Sequence, residues 1–275
     1  LRYAAVLALA AASGCASWRL SDRRVPGSGR IGVEDVLKAG REIHEALDVS
    51  PELEKAMGRE AAASLAARHG FYDEEETLRY VNLVGLAVAR ASERSGVEYR
   101  FGILNTEDLN AYAAPGGYIF VTKGLLKVLT DEAMLAGVLA HEIQHVERRH
   151  AVNALRKGNL VRAGTRLTQD RLQSSEGLRL ASEAIVDLME RGFDRSDERE
   201  ADVAGVALLA RAGYDPTGLP RALEEHDALA ATAHGNAFTR RHPSFKSRLE
   251  AIASVRGLPE TGAVNKKRYL KHVSF

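Results

Sequence analysis

Cysteine is almost missing from this chain. Of 275 residues, only Cys15 carries a thiol. A single cysteine excludes an intramolecular disulfide, so packing alone must hold the fold. An excess of one charge sign is missing too: 38 Lys and Arg face 37 Asp and Glu, a formal net charge of +1. That balance excludes the broad basic field that holds nucleic acid and the acidic excess that keeps a chain unfolded. Beyond the first residues no apolar run approaches the roughly 18 residues needed to span a bilayer. Internal repeats and low-complexity tracts are also missing. What remains, 45% hydrophobic and 27% charged residues, is an ordinary globular balance with ample length for one substantial core.

The chain opens "LRYAAVLALAAASGCAS". One Arg, a short apolar run and then small residues read as a signal peptide over residues 1–14. Small residues directly before Cys15 resemble a bacterial lipobox, in which the cysteine becomes a lipidated N-terminus. Ala12 departs from that pattern, which prefers Leu there. The other readings are an ordinary signal peptide, or an apolar end with a spare thiol. The lipobox reading places the mature chain in a bacterial periplasm, held to the membrane by lipid alone. Ala16 after the cysteine points to the outer membrane. Residues 15–30 are rich in Pro, Gly and Ser and read as a flexible tether. Residues 31–255 then form the working domain, and the basic stretch "NKKRYLKHV" within 256–275 reads as a solvated tail, with an anionic-lipid contact as the lesser reading.

Apolar periodicity predicts helices over 31–47, 51–70 and 75–91. The period then changes. "VEYRFGIL" alternates at Val97, Tyr99, Phe101 and Ile103, and "YIFVT" follows a turn-rich "NTEDLNAYAAPGG". The two strands are predicted to pair as a hairpin with a long loop. Thr130 is the predicted cap of the next helix, "LQSSEG" a loop, and "LRLASEAIVDLME" another helix. A further helix is predicted from Asp197 to Ala212, capped by Ser196, with two more flanking "RRHPS". The fold class is α+β, mainly α, with a small antiparallel sheet.

Within "VLAHEIQHVERRH", His141 and His145 lie about 40° apart on one helical face, one turn apart, where two imidazoles can share a metal ion. Glu142 sits about 100° round, too far to be a third ligand on that axis but able to reach a water on the metal. This is the H-E-x-x-H arrangement of two ligands and a general base. His150 falls about 140° from His145, which excludes it as a ligand and makes it a packing or surface histidine. A catalytic zinc needs a third protein ligand and an open position. Downstream candidates are Glu183, Asp187, Glu190, Asp194, Glu198 and Glu200. Spacing favours Glu198, because Asp202 follows on the same face and can accept the N–H of a ligand histidine. Glu200 turns away from Asp202, toward solvent.

"HEIQH", "FDRSDEREAD" and "RHPSFKSRL", in that order, resemble the HtpX and CaaX-prenyl-protease type of zinc metallopeptidase within the gluzincins. The likeness is strongest to its soluble periplasmic branch of BepA-like and LoiP-like proteases. It extends to "NAYAAPGGYIFVTKGLL" upstream and covers roughly residues 50–255. The resemblance implies a zincin-like fold, one Zn2+ per chain on His141, His145 and Glu198, and Asp202 behind a ligand histidine. It also brings His242 near the zinc, as an oxyanion donor or an inhibitory plug; a plain loop histidine is the bland reading. Arg248 matches a family arginine with a salt-bridge or a substrate role.

Taken together, the expected activity is zinc-dependent endopeptidase cleavage of misfolded or unassembled envelope proteins. Glu142 would take a proton from the attacking water. The strand Tyr118–Ile119–Phe120, with Asn110, Gly116 and Gly117 shaping the wall, is the expected edge for an extended substrate. One rival is a zinc-dependent chaperone or assembly factor for outer-membrane proteins with little proteolysis. Another is a lipid-anchored scaffold with an incidental motif. Oligomeric state stays open.

Overall fold

The computed structural model describes residues 48–157, 172–232, 245–273 and 275. Cys15, the predicted tether, the first predicted helix and His242 lie outside the described residues.

The first helix, α1 (Pro51–His69), starts where Ser50 accepts the Leu53 N–H at 3.2 Å and Pro51 occupies the first turn. It stops at Gly70, whose φ of 70° suits a residue without a Cβ. Helix α2 (Glu75–Ala89) follows, capped by the Glu74 carboxylate. Three strands come next: β1 (Arg100–Leu104), β2 (Ala111–Ala114) and β3 (Tyr118–Thr122). Their order is β1-β3-β2, with β1 parallel and β2 antiparallel to β3. The sheet is therefore mixed rather than purely antiparallel. The hairpin joins β2 to β3 through Pro115–Gly117, not β1 to β3. Sequence periodicity missed β2 because "AYAA" carries none of the branched side chains that mark a strand.

Alternation along the strands sends residues to two apolar layers. Ala113, Ile119, Val121, Phe101 and Ile103 face one cluster; Tyr112, Ala114, Phe120 and Leu104 face another. Helix α3 (Lys123–Val128) leads from the sheet to α4 (Glu132–Glu147), which carries the two motif histidines. The cap of α4 is Asp131, accepting from Met134 N at 3.0 Å, one residue later than Thr130. Of its 16 residues 14 are buried, so α4 is the central helix rather than a half-exposed one. Met134, Leu135, Leu139 and Ile143 are at most 1% exposed. Each contributes roughly 1.5–3 kcal/mol by leaving water, which offsets the cost of burying polar side chains on the same helix.

Beyond α4 lie α5 (His150–Arg156), α6 (Ser175–Arg191), α7 (Arg195–Arg211), α8 (Gly218–Thr232), α9 (Phe245–Ala253) and α10 (Lys266–His272). Helix α7 begins just before the predicted Ser196 cap, at Asp194. Only residues 172–174 of the predicted "LQSSEG" loop precede α6, which Ser174 caps. Helices α7 and α8 press on α4 from two sides. Two glycines permit it. A Cβ on Gly205 would sit 3.2 Å from the His141 Cα, and one on Gly137 would sit 2.6 Å from the Leu219 N. Helices α1 and α6 cover the other face of the sheet through Met57, Ala61, Leu65, Ile185 and Val186.

The basic tail is not a solvated end. Helix α10 docks with Tyr269 1% exposed, its hydroxyl donating to Leu126 O at 2.6 Å. Arg268 and Asn265 reach the buried Glu132 in the first turn of α4, where Tyr80 and Tyr214 also donate, at 2.6 and 2.8 Å. No helix among the described residues is long and apolar enough to cross a membrane.

Candidate metal centre and active site

Helix α4 presents His141 and His145 one turn apart, and the first turn of α7 brings Glu198 against them. The two Nε2 atoms are 3.0 Å from each other. Glu198 Oε2 lies 3.7 Å from His141 Nε2, and its Oε1 lies 3.8 Å from His145 Nε2. One donor atom from each of the three residues falls within 4.8 Å of the others, and all three residues are buried. Two imidazole nitrogens and a carboxylate converging in a dry place would oppose lone pair to lone pair. A cation between them resolves this, and the N,N,O donor set suits zinc. The residues fit a single Zn2+.

Burial disfavours the imidazolium at both rings. At His145 it prevails, with help from His141, and holds the pKa well below the usual value. At His141 the hydrogen bond and charge of Asp202 outweigh burial and raise it. Asp202 Oδ1 is 3.0 Å from His141 Nδ1, a placement that favours the proton on that nitrogen and a bare lone pair on Nε2. Asp202 in turn takes two bonds from Arg248, at 2.8 and 2.7 Å. Those bonds draw its carboxyl below the usual range although burial works the other way. Arg248 is 6% exposed and stands 3.6 Å from Glu198 Oε2. Burial alone would depress its pKa, but Asp202, Glu198 and Glu142 raise it. Of the two roles weighed for Arg248, the ion pair is the one the structure shows.

Glu142 lies beside the ligand group in a cleft of about 710 Å³, part of it open to solvent. Burial pushes its carboxyl up to about 7; Glu198 and Asp202 add to the rise, while His141 and Arg248 oppose it. A carboxyl poised near neutrality suits a group that takes a proton and returns it. The cleft is apolar on the side of Leu125, Val138, Leu219, Leu223 and Phe245. Its other wall is Asn110, Ala111, Tyr112 and Ala113.

That wall corrects the sequence expectation. Asn110 lines the cleft, but Gly116, Gly117, Tyr118, Ile119 and Phe120 do not. Strand β3 is paired on both sides and has no free edge to offer. The edge beside the cleft belongs to β2, and among the described residues no strand pairs with its outer side.

Helical rotation set His150 aside as a ligand, and the metal group forms without it. His150 is 2% exposed, and its Nδ1 is 2.8 Å from His145 Nδ1. Glu200 is half exposed, as expected; it accepts from Arg148 at 2.6 Å and lies 3.4 Å from His150 Nε2. The contact between His150 and His145 was not legible because α4 ends at Arg148. Arg149 then takes a left-handed conformation, φ 56°, and starts α5. Its Nε pairs with the buried Glu54 at 2.8 Å, its Nη2 donates to Val49 O at 2.6 Å, and Arg94 grips Glu54 from the other side. "ERRH" holds no Gly or Pro to announce such a break.

Comparison with known proteins agrees with this geometry. The chain is 29% identical over 213 residues to the mitochondrial metalloendopeptidase OMA1 of Schizosaccharomyces pombe, covering 74% of this chain and 61% of that protein. It is 27% identical over 180 residues to the beta-barrel assembly-enhancing protease of Escherichia coli K12, covering 62% of this chain and 37% of that protein. It is 26% identical over 238 residues to the metalloprotease LoiP of the same bacterium, covering 82% of this chain and 89% of LoiP. The chain thus spans less than two thirds of the first two relatives and most of the third. The profile of peptidase family M48 matches residues 75–256, which hold every described residue of the metal group and its supports. This chain belongs to peptidase family M48.

Proposed function

We propose that this chain is a zinc-dependent endopeptidase that cleaves misfolded or unassembled proteins of a bacterial envelope. One observation carries the reading: His141, His145 and Glu198 converge in a buried group, with Glu142 beside them, at the base of a cleft open to solvent. His141, His145 and Glu198 would hold the ion. When bound there, zinc supplies a Lewis acid that polarises a carbonyl and acidifies water. Glu142 takes the proton from the attacking water and delivers it to the leaving amine. Asp202 and Arg248 hold the His141 ring in the one tautomer that leaves Nε2 free.

The β2 edge supports a substrate bound as an added strand. Thr122 N donates to Asn110 O at 3.0 Å, so residues 110, 112 and 114 spend their main-chain bonds on β3. The carbonyl of Ala111 and both main-chain groups of Ala113 then turn outward. Pairing through the main chain gives affinity with little sequence preference, and only unfolded segments offer free backbone. The apolar side of the cleft suits side chains that folded proteins bury. His242 completes the site in this reading, as an oxyanion donor or an inhibitory plug. Cys15 carries the lipid that holds the enzyme at the outer membrane, facing the periplasm. The name of one relative, a beta-barrel assembly-enhancing protease, keeps a second reading in play: a zinc-dependent chaperone or assembly factor with little proteolysis.

Casein degradation by wild type and Glu142→Gln separates the two. Proteolysis predicts a fall of roughly 10²–10⁴-fold with about one zinc per chain retained. Equal residual cleavage in the two proteins would exclude catalysis at this site.

A further inference from the structure

The metal group has two histidines, and the structure supports them in different ways. Behind His141 stands a carboxylate, Asp202, 0% exposed. Behind His145 stands another imidazole. His150 Nδ1 is 2.8 Å from His145 Nδ1, the two rings lie 4.8 Å apart at 75°, and both are buried. Phe193 stacks on His145 at 4.1 Å and lies 5.9 Å from the His150 ring.

Two nitrogens at that distance share one proton, and the ligand role of His145 decides who owns it. Its Nε2 faces His141 Nε2 and Glu198, so Nε2 must be bare to bind an ion. A neutral imidazole carries one N–H, which must then sit on His145 Nδ1 and point at His150. His150 Nδ1 is therefore an acceptor, and its own N–H is on Nε2. That atom faces Glu200 Oε2 at 3.4 Å, long for a hydrogen bond but aligned with an acceptor-only group. Glu200 Oε1 is held by Arg148 at 2.6 Å, and Arg148 by Gln144 at 3.1 Å. The break at Arg149 is what folds His150 back to make this contact.

The geometry points to His150 as a positioning residue: it accepts the His145 Nδ1–H, is itself oriented by Glu200, and so fixes which nitrogen of His145 faces the ion. The two ligand histidines are then unequal donors. His141 is backed by a buried anion. His145 is backed by a neutral ring, with its anion one residue further out and 49% exposed at the side chain. The inference rests on the reading of His145 as a metal ligand.

The test uses the full chain loaded with zinc and labelled with ¹⁵N-histidine. Ring-nitrogen shifts should show His145 protonated on Nδ1, and His150 protonated on Nε2 with a bare Nδ1. A proton on His150 Nδ1 would overturn the inference. Zinc affinity, read by competition with a chromophoric chelator, supplies the second arm. His150→Phe keeps the ring packing and removes the acceptor; it should bind zinc roughly 10–100-fold more weakly. His150→Asn places an amide oxygen near the lost Nδ1 and should recover most of that loss. Equal affinities for the Phe and Asn variants would overturn the inference. Wild type that takes up no zinc would sink the ligand reading of His145 along with it, whereas a zinc-loaded wild type with the wrong tautomer sinks this inference alone.

Discussion

At the scale of single residues, the site depends on side chains that hold one another in place. Asp202 binds His141 with one oxygen and Arg248 with both. Asp202→Asn keeps the shape but loses the charge, and its amide must present a donor to one of two donors. Zinc affinity by chelator competition should fall roughly 10–100-fold, with casein cleavage falling alongside; unchanged affinity would show the carboxylate to be dispensable. The residues legible in the sequence are those joined by regular helical rotation. His141, Glu142 and His145 share one unbroken helix, and Glu198 and Asp202 share another. Asp202 was readable because its spacing from Glu198 repeats the turn that separates the two histidines. His150 and Glu200 stand where rotation put them, one off the metal group and the other exposed, but the contact of His150 with His145 was not legible, because Arg149 leaves the helix in a left-handed conformation. Its causes, Glu54 and Val49, lie about a hundred residues earlier. The two roles weighed for Arg248 could be told apart only once Asp202 was placed beside it.

At the scale of elements, the sheet carries the main revision. Alternation in "YIFVT" was read correctly as a strand, but alternation says nothing about which side stays unpaired. Strand β3 sits in the middle, and the plain "AYAA" forms the edge beside the cleft. A proline at Ala113 tests that edge. Its N–H points away from β3, so Ala113→Pro removes no ladder bond, and prolines are tolerated at such outward positions. Ala113 is 3% exposed, so urea unfolding must first show that the variant keeps its fold. Cleavage of casein should then drop at least tenfold, through kcat/KM, because a donor to the substrate backbone is gone. Normal cleavage in a folded Ala113→Pro variant would rule out strand addition on β2.

At the scale of the molecule, one buried carboxylate ties the chain's end to its centre. Glu132 receives Tyr80 from α2, Tyr214 from the turn after α7, and Asn265 and Arg268 from α10. Burial alone would raise its pKa, but these four partners, Arg268 foremost, hold it below the usual carboxylate value. A depressed folded-state pKa gives stability that is fully present above the unfolded value of about 4.3 and lost as pH falls through the folded one. Thermal unfolding of wild type should therefore slide to lower temperature as pH drops below about 4.3. Glu132→Gln should be less stable at neutral pH and show a shallower acid slope; parallel slopes would remove Glu132 from the account. The docking of α10 was not legible in sequence. A seven-residue helix with Tyr269 as its only fully buried side chain gives too short a period to read. Its ionic partner is 136 positions away.

The bare Cα of Gly205 against the Cα of His141 has one more consequence. It sets how far apart the two ligand-bearing helices stand, and so the width of the gap between imidazoles and carboxylate. A methyl group at position 205 would have to push the backbone of His141 away by a few tenths of an ångström, and so move one imidazole relative to Glu198.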